Sequence, residues 1–133
     1  GPIDMNNGMF DLRQGHTTRV DESQPVPSTL VSEAARTLIA FSGVTILPDI
    51  PEYYRKYPAL LNFLSAQKMP WKESRTLAGE IGEYIVMMRE TEDAYLVGAA
   101  TNESGRTIDL PLSFLEKGKY TVESSKTATM PTI

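Results

Sequence analysis

Between Met69 and Ser74 the hydrophobic period of this chain changes, and that change limits what it can fold into. Upstream, Leu30, Val31, Ala34, Ala35, Leu38, Ile39 and Phe41 recur at i, i+3 and i+4, so they share one wide face of an α-helix. Downstream, Tyr84-Ile85-Val86-Met87-Met88 and the stretch from Ala94 to Thr101 have strand composition. Helices first and antiparallel strands after them predict an α+β fold with segregated layers.

Local signals sharpen this outline. Ser28 or Thr29 can cap the long helix by accepting a bond from an unpaired backbone N–H, and Gly43 is a natural stop. Pro51 and Pro58 each suit a first helical position, where no N–H is needed, so "DIPEYYRKYPALLNFLSA" predicts two short helices. Leu60, Leu61, Phe63 and Leu64 should pack inward, and Tyr53 and Tyr57, spaced i and i+4, should anchor this region onto the sheet. Residues 1–27 carry Asn6-Asn7-Gly8, Gln14-Gly15, Pro25 and Pro27 and read as loop, with Ile3-Asp4-Met5 the end of a strand.

In the second half, Ile81-Gly82 marks a turn between strands 74–79 and 84–89, and Glu92-Asp93 a turn into the next strand. Ile108, Leu110 and Leu112 alternate with Asp109 and Pro111, which predicts a half-buried edge strand. A turn at Glu116-Lys117-Gly118-Lys119 should lead into a further strand beginning with Tyr120 and Val122. After Ser124 the tail has no periodicity and reads as disordered.

Composition excludes several classes of function. The chain has 133 residues, a net charge of −4 and no basic cluster, so nothing argues electrostatically for nucleic acid. No apolar run approaches the roughly 18 residues a membrane helix needs. Cysteine is absent, which removes disulfide and thiol chemistry. No signal peptide is present.

The acidic stretch "KESRTLAGEIGEYIVMMRE" raises the question of catalysis, because Glu73, Glu80, Glu83 and Glu90 crowd together and carboxylate pairs drive glycoside hydrolysis. A general acid needs burial or a like-charge neighbour to keep its proton near neutral pH. Glu80 and Glu83 flank a hairpin turn, where side chains face water, so a solvated rim is the expected role. His16 is the single histidine, with Asp11 and Asp21 as loose neighbours that lack a metal-ligand spacing. The Gly-x-Ser-x-Gly elbow, a phosphate-cradling glycine loop and a calcium-loop spacing are all missing from the sequence. Trp71, Tyr53, Tyr54 and Tyr57 could stack on sugar rings, although packing is the expected use of all four.

Four fragments then line up in order: "GPIDMNNGMFDL", "LPDIPEYYRKYPALLNFL", "WKESRTLAGEIGEYIVMMRE" and "AYLVGAATNESGRTIDLPLSFLEKGKYT". Together, over residues 1–124, they resemble the C-terminal part of glycoside hydrolase family 97, calcium-dependent α-glucosidases and α-galactosidases typical of Bacteroidetes. The resemblance implies a catalytic (β/α)8 barrel followed by an antiparallel β-domain, often described as an oligomerisation region. It makes Gly1-Pro2, which alone could be a protease scar, part of the segment at the final barrel strand, and Leu30–Gly43 the last barrel helix.

On that reading residues 1–67 are a remnant of the last β/α unit of the barrel. Residues 68–124 are the antiparallel β-domain, a partial sandwich, and 125–133 a disordered tail. The family's catalytic and calcium-binding glutamates would lie upstream, so the resemblance implies no catalytic residue, no metal ligand and no cofactor in this chain, and calcium in the parent enzyme. Asp4 matches a position at the active-site end of a barrel strand and is a candidate substrate contact; Trp71 is the other. The implied partners are the upstream barrel, an α-linked oligosaccharide bound through it, and a second copy of the chain. The implied location of the parent is the periplasm or the outer membrane. The alternative is a stand-alone carbohydrate-binding or protein-interaction β-module. Because the family's β-domain continues past the position of Ser124, an unpaired strand edge and an uncovered helix face should be exposed.

Overall fold

The computed structural model describes residues 4–12 and 26–127. Thr29 has extended backbone, and its side-chain oxygen accepts the N–H of Ser32 at 3.2 Å, which starts helix α1, Leu30–Ile39. The helix ends at Ala40, before the expected Gly43, and leaves Phe41 outside it and half exposed. Strand β1, Met5–Asn6, precedes α1, and strand β2, Thr45–Ile46, follows it; the two pair in parallel. A strand, a crossover helix and a parallel strand form a β/α/β unit. The sequence predicted one strand here, and β2 is an addition to it.

Helices α2, Pro51–Arg55, and α3, Pro58–Ser65, each begin at a proline, as expected. They fold back so that Phe10, Ala34, Tyr54 and Leu60 form one buried cluster, with Leu61, Phe63 and Leu64 packed against it. The tyrosine anchor differs from expectation. Tyr54 is the buried one, 4.9 Å from the Phe10 ring, whereas Tyr57 meets Phe10 by its edge at 5.9 Å and stays partly exposed. Tyr53 packs against this same cluster, so the short helices are anchored on the loop after β1 rather than on the sheet.

The second half is an antiparallel sheet of β3, Glu73–Glu80, β4, Tyr84–Glu90, and β5, Tyr95–Thr101, in that order. A bulge between Thr76 and Ala78, together with the charges of Glu73 and Arg75, blunts the β3 edge. Thr91 turns the chain between β4 and β5, its hydroxyl accepting the N–H groups of Asp93 and Ala94.

One face of this sheet lies on α1. Gly98 marks the contact: a Cβ there would sit 3.1 Å from the Ala35 carbonyl oxygen and 3.0 Å from Leu38 Cδ2. Only glycine lets helix and strand approach this closely. Leu38 is fully buried between them, so the apolar helix face expected to be uncovered is instead closed by β4 and β5. On the opposite face Val86 and Met88 are buried, and the rings of Phe114 and Tyr120 lie 6.0 and 6.1 Å from Tyr95. The chain after β5 thus returns over the sheet.

That return corrects two expectations. Ile108 and Leu110 are half-buried and Asp109 is exposed, as the alternation suggested, but Leu112 is exposed and residues 108–112 form no strand. Residues 120–122 form none either. Alternation marks one face toward apolar surface; a strand also needs a ladder partner, and Pro111 has no N–H to give one. The tail expected to be disordered falls mostly outside the described residues. Its described part touches α1, where the hydroxyls of Thr127 and Thr29 are 2.9 Å apart.

Candidate functional site

The acidic cluster resolves into part-exposed ion pairs on the surface. Glu83 holds Arg106 at 2.6 Å, Glu73 holds Arg75 at 2.6 Å, and Glu90 reaches Lys72 at 3.6 Å. Glu80 is exposed beside the turn, where Glu83 N–H donates to the Glu80 carbonyl at 2.9 Å. Carboxylates solvated and neutralised in this way lack the burial that tunes a general acid.

The most constructed polar arrangement lies elsewhere, at the C-terminal ends of the parallel strands. There the loop Gly8–Asp11 leaves β1 and is gripped by two carboxylates. Glu33, buried on α1, accepts the N–H groups of Gly8 and Met9, both at 3.3 Å. Asp49, on the loop after β2, accepts those of Phe10 at 2.9 Å and Asp11 at 2.6 Å. Tyr54 completes the clasp: its hydroxyl donates to the Gly8 carbonyl at 2.9 Å and accepts the Asp49 N–H at 3.1 Å. Burial, the main cause, pushes the Tyr54 hydroxyl up to about 12.

Gly8 itself has φ +94°, and a Cβ would meet Leu47 and Thr37 at 3.2 and 3.3 Å. The backbone can therefore turn here only without a side chain. Four consecutive amides donating to two carboxylates, Glu33 buried and Asp49 half-buried, order the loop strongly, because each bond is charge-assisted. Sequence reasoning missed Glu33 and Asp49, and offered Tyr54 for packing or sugar stacking rather than for this clasp. The signal was faint: Glu33 lies beside the apolar stripe of α1, next to Thr37, and an acid buried there needs donors close by.

A second constructed feature joins the two halves. Arg89, buried on β4, donates from Nε to the Leu38 carbonyl at 3.1 Å and from Nη2 to the Ile39 carbonyl at 3.0 Å. It thereby caps the C-terminus of α1, where carbonyls lack helical partners and the helix dipole favours a cation. Its guanidinium lies over the rings of Phe41 and Trp71, at 5.6 and 5.9 Å. Burial draws its pKa below the ordinary arginine value.

The residues singled out from sequence are dispersed. Asp4 is exposed and precedes the paired residues of β1, on the opposite side from the Gly8–Asp11 loop. Trp71 is half-buried at the start of the sheet, beside Arg89. Asp11 is buried in the clasped loop. His16 and Asp21 fall outside the described residues. Among the described residues no three histidine, cysteine or acidic side chains cluster as a metal site would require. No helix among them is long and apolar enough to cross a membrane.

Comparison with known proteins gives this architecture a context. Residues 70–130 match the sequence profile described as Glycosyl-hydrolase 97 C-terminal, oligomerisation. The retaining alpha-galactosidase of Bacteroides thetaiotaomicron is 31% identical over 121 residues, which are 90% of this chain and 18% of that protein. A Streptomyces bingchenggensis protein named "Probable retaining alpha-galactosidase" is 26% identical over 92% of the chain, again 18% of its own length. A Glycoside Hydrolase Family 97 enzyme from a Pseudoalteromonas species, solved in complex with panose, superposes with a TM-score of 0.74 at 29% identity. That superposition covers 89% of this chain and 19% of the enzyme. A β/α unit docked on an antiparallel sheet is thus the C-terminal architecture of a glycoside hydrolase. Residues 70–130 are thus similar to the C-terminal oligomerisation domain of glycoside hydrolase family 97, and the chain spans under a fifth of the length of the relatives it matches.

Proposed function

We propose that this chain serves as the non-catalytic packing and oligomerisation module of a longer family 97 hydrolase that cleaves α-galactosides or α-glucosides. The observation that carries the reading is the match of residues 70–130 to the family's oligomerisation domain. The names of the relatives support the substrate class, as does the panose seen in the Pseudoalteromonas enzyme. Residues 1–67 act as the end of a barrel and 68–124 as the β-domain that buttresses it. The exposed apolar side chains on and beside β2, Val44, Ile46, Leu47 and Ile50, suit that role. A parallel sheet is normally covered on both faces, and an upstream barrel would supply the cover.

The calcium implied by the family resemblance would belong to the upstream barrel. A periplasmic or outer-membrane-associated location likewise belongs to the parent enzyme. Asp4, at the β1 end of the chain, and Trp71, at the sheet junction, are its two candidate contacts to an α-linked oligosaccharide. The test is direct. The purified chain should leave aryl α-galactosides and aryl α-glucosides intact and should scatter light as more than one copy. Turnover by the chain alone would refute the non-catalytic assignment.

A further inference from the structure

The turn between β3 and β4 places an isoleucine where folding has no use for it. Ile81 is fully exposed, and Gly82 beside it takes φ +80° to close the turn. Turn positions favour Gly, Asn, Asp and Pro, and a β-branched apolar side chain there buries nothing within its own chain. Next to it lies a shallow groove of about 560 Å³. Its floor is Gly79, Ile85 and Ala100, which sit directly opposite one another across the three strands and therefore point to one side. This is the side that α1 covers at Gly98; one residue pair further along, the sheet is open.

A protruding apolar knob beside an apolar hollow is self-complementary under two-fold symmetry, since residue i of one copy then meets j of the other and j meets i. Two acids line the groove, Glu80 and Glu83, and Arg106 neutralises Glu83 at 2.6 Å, which lowers the charge that a second copy would meet. Every residue of knob and hollow lies within 70–130, the part matched to the oligomerisation domain.

We infer that the open end of this sheet is the self-association surface, with Ile81 of one copy seated in the Gly79–Ile85–Ala100 groove of a second. The inference rests on the oligomerisation reading above and assigns it a location. The experiment is light scattering on the full chain at high concentration, with Ile81→Asp and Ala100→Lys made separately. Ile81 touches nothing else, so Ile81→Asp should keep the wild-type melting temperature. The expected result is an oligomeric wild type and, for both folded variants, association weakened by about tenfold or more, the effect of exposing one buried aliphatic side chain. A wild type that associates while Ile81→Asp associates equally well overturns this surface and leaves the oligomerisation reading intact. A wild type that stays monomeric overturns both.

Discussion

The two halves of this chain are held together by different means. The β/α half has parallel strands of two residues each, with apolar side chains open to solvent on and beside β2. Its order comes from side chains: Glu33, Asp49 and Tyr54 fix the loop after β1. The antiparallel half has strands of seven or eight residues, paired along their length with one bulge in β3, and both of its faces are at least partly covered. Its order comes from the backbone ladder and from burial. A parallel pair this short is held by its side-chain clasp more than by its own ladder. A three-stranded ladder with a covered core can stand alone.

Helix α1 belongs to both halves, so damage to it should be the most costly. Leu38→Ala removes a fully buried side chain at the contact with β5 and should destabilise the chain by about 2–5 kcal/mol in urea unfolding. A loss under about 1 kcal/mol would mean that the halves are packed independently.

Arg89→Leu keeps much of the bulk but leaves the carbonyls of Leu38 and Ile39 without their donor. A buried acceptor left unpaired costs about 1–3 kcal/mol. The expected signature is two unfolding transitions in place of one, followed by near- and far-ultraviolet circular dichroism. A single transition with unchanged midpoint would show that the joint lies elsewhere.

Tyr54 reports on the β/α half alone. Its folded hydroxyl titrates at about 12 against an ordinary 10.0, so the folded state holds the proton more tightly. That contribution is fully present below pH 10.0 and is lost as pH rises toward 12. Tyr54→Phe should lower stability at neutral pH by removing two hydrogen bonds, and should flatten the alkaline fall-off. A variant with the wild-type slope above pH 10.0 would contradict the assignment. The smallest effect expected is Thr29→Ala, about 1 kcal/mol, from loss of the α1 cap.

The same contrast explains what could be read from the sequence. The α1 stripe, the prolines that open α2 and α3, and the β3–β4–β5 meander announce themselves because period and turn chemistry are local. Strand β2 is hidden, since two residues carry no period and Val44-Thr45-Ile46-Leu47 continues an apolar run. The stretch 108–112 shows the opposite failure: its alternation is real, but the ladder partner that would make it a strand is not visible in one sequence. The bonds that grip the loop join residues 24 to 46 positions apart in the chain, so local patterns could not assemble the clasp. Its one legible trace was an acid beside the apolar stripe of a helix.

The most direct test of the unequal halves is native-state hydrogen exchange, read amide by amide on the wild-type chain. The amides of Met5 and Asn7, which bond to Val44 and Ile46 across the parallel pair, should exchange through local opening, well below the free energy of global unfolding. Those of Val86 and Met88 in the central strand should exchange only with global unfolding. Equal protection in the two places would contradict the account, because the parallel pair would then be as self-sufficient as the sheet.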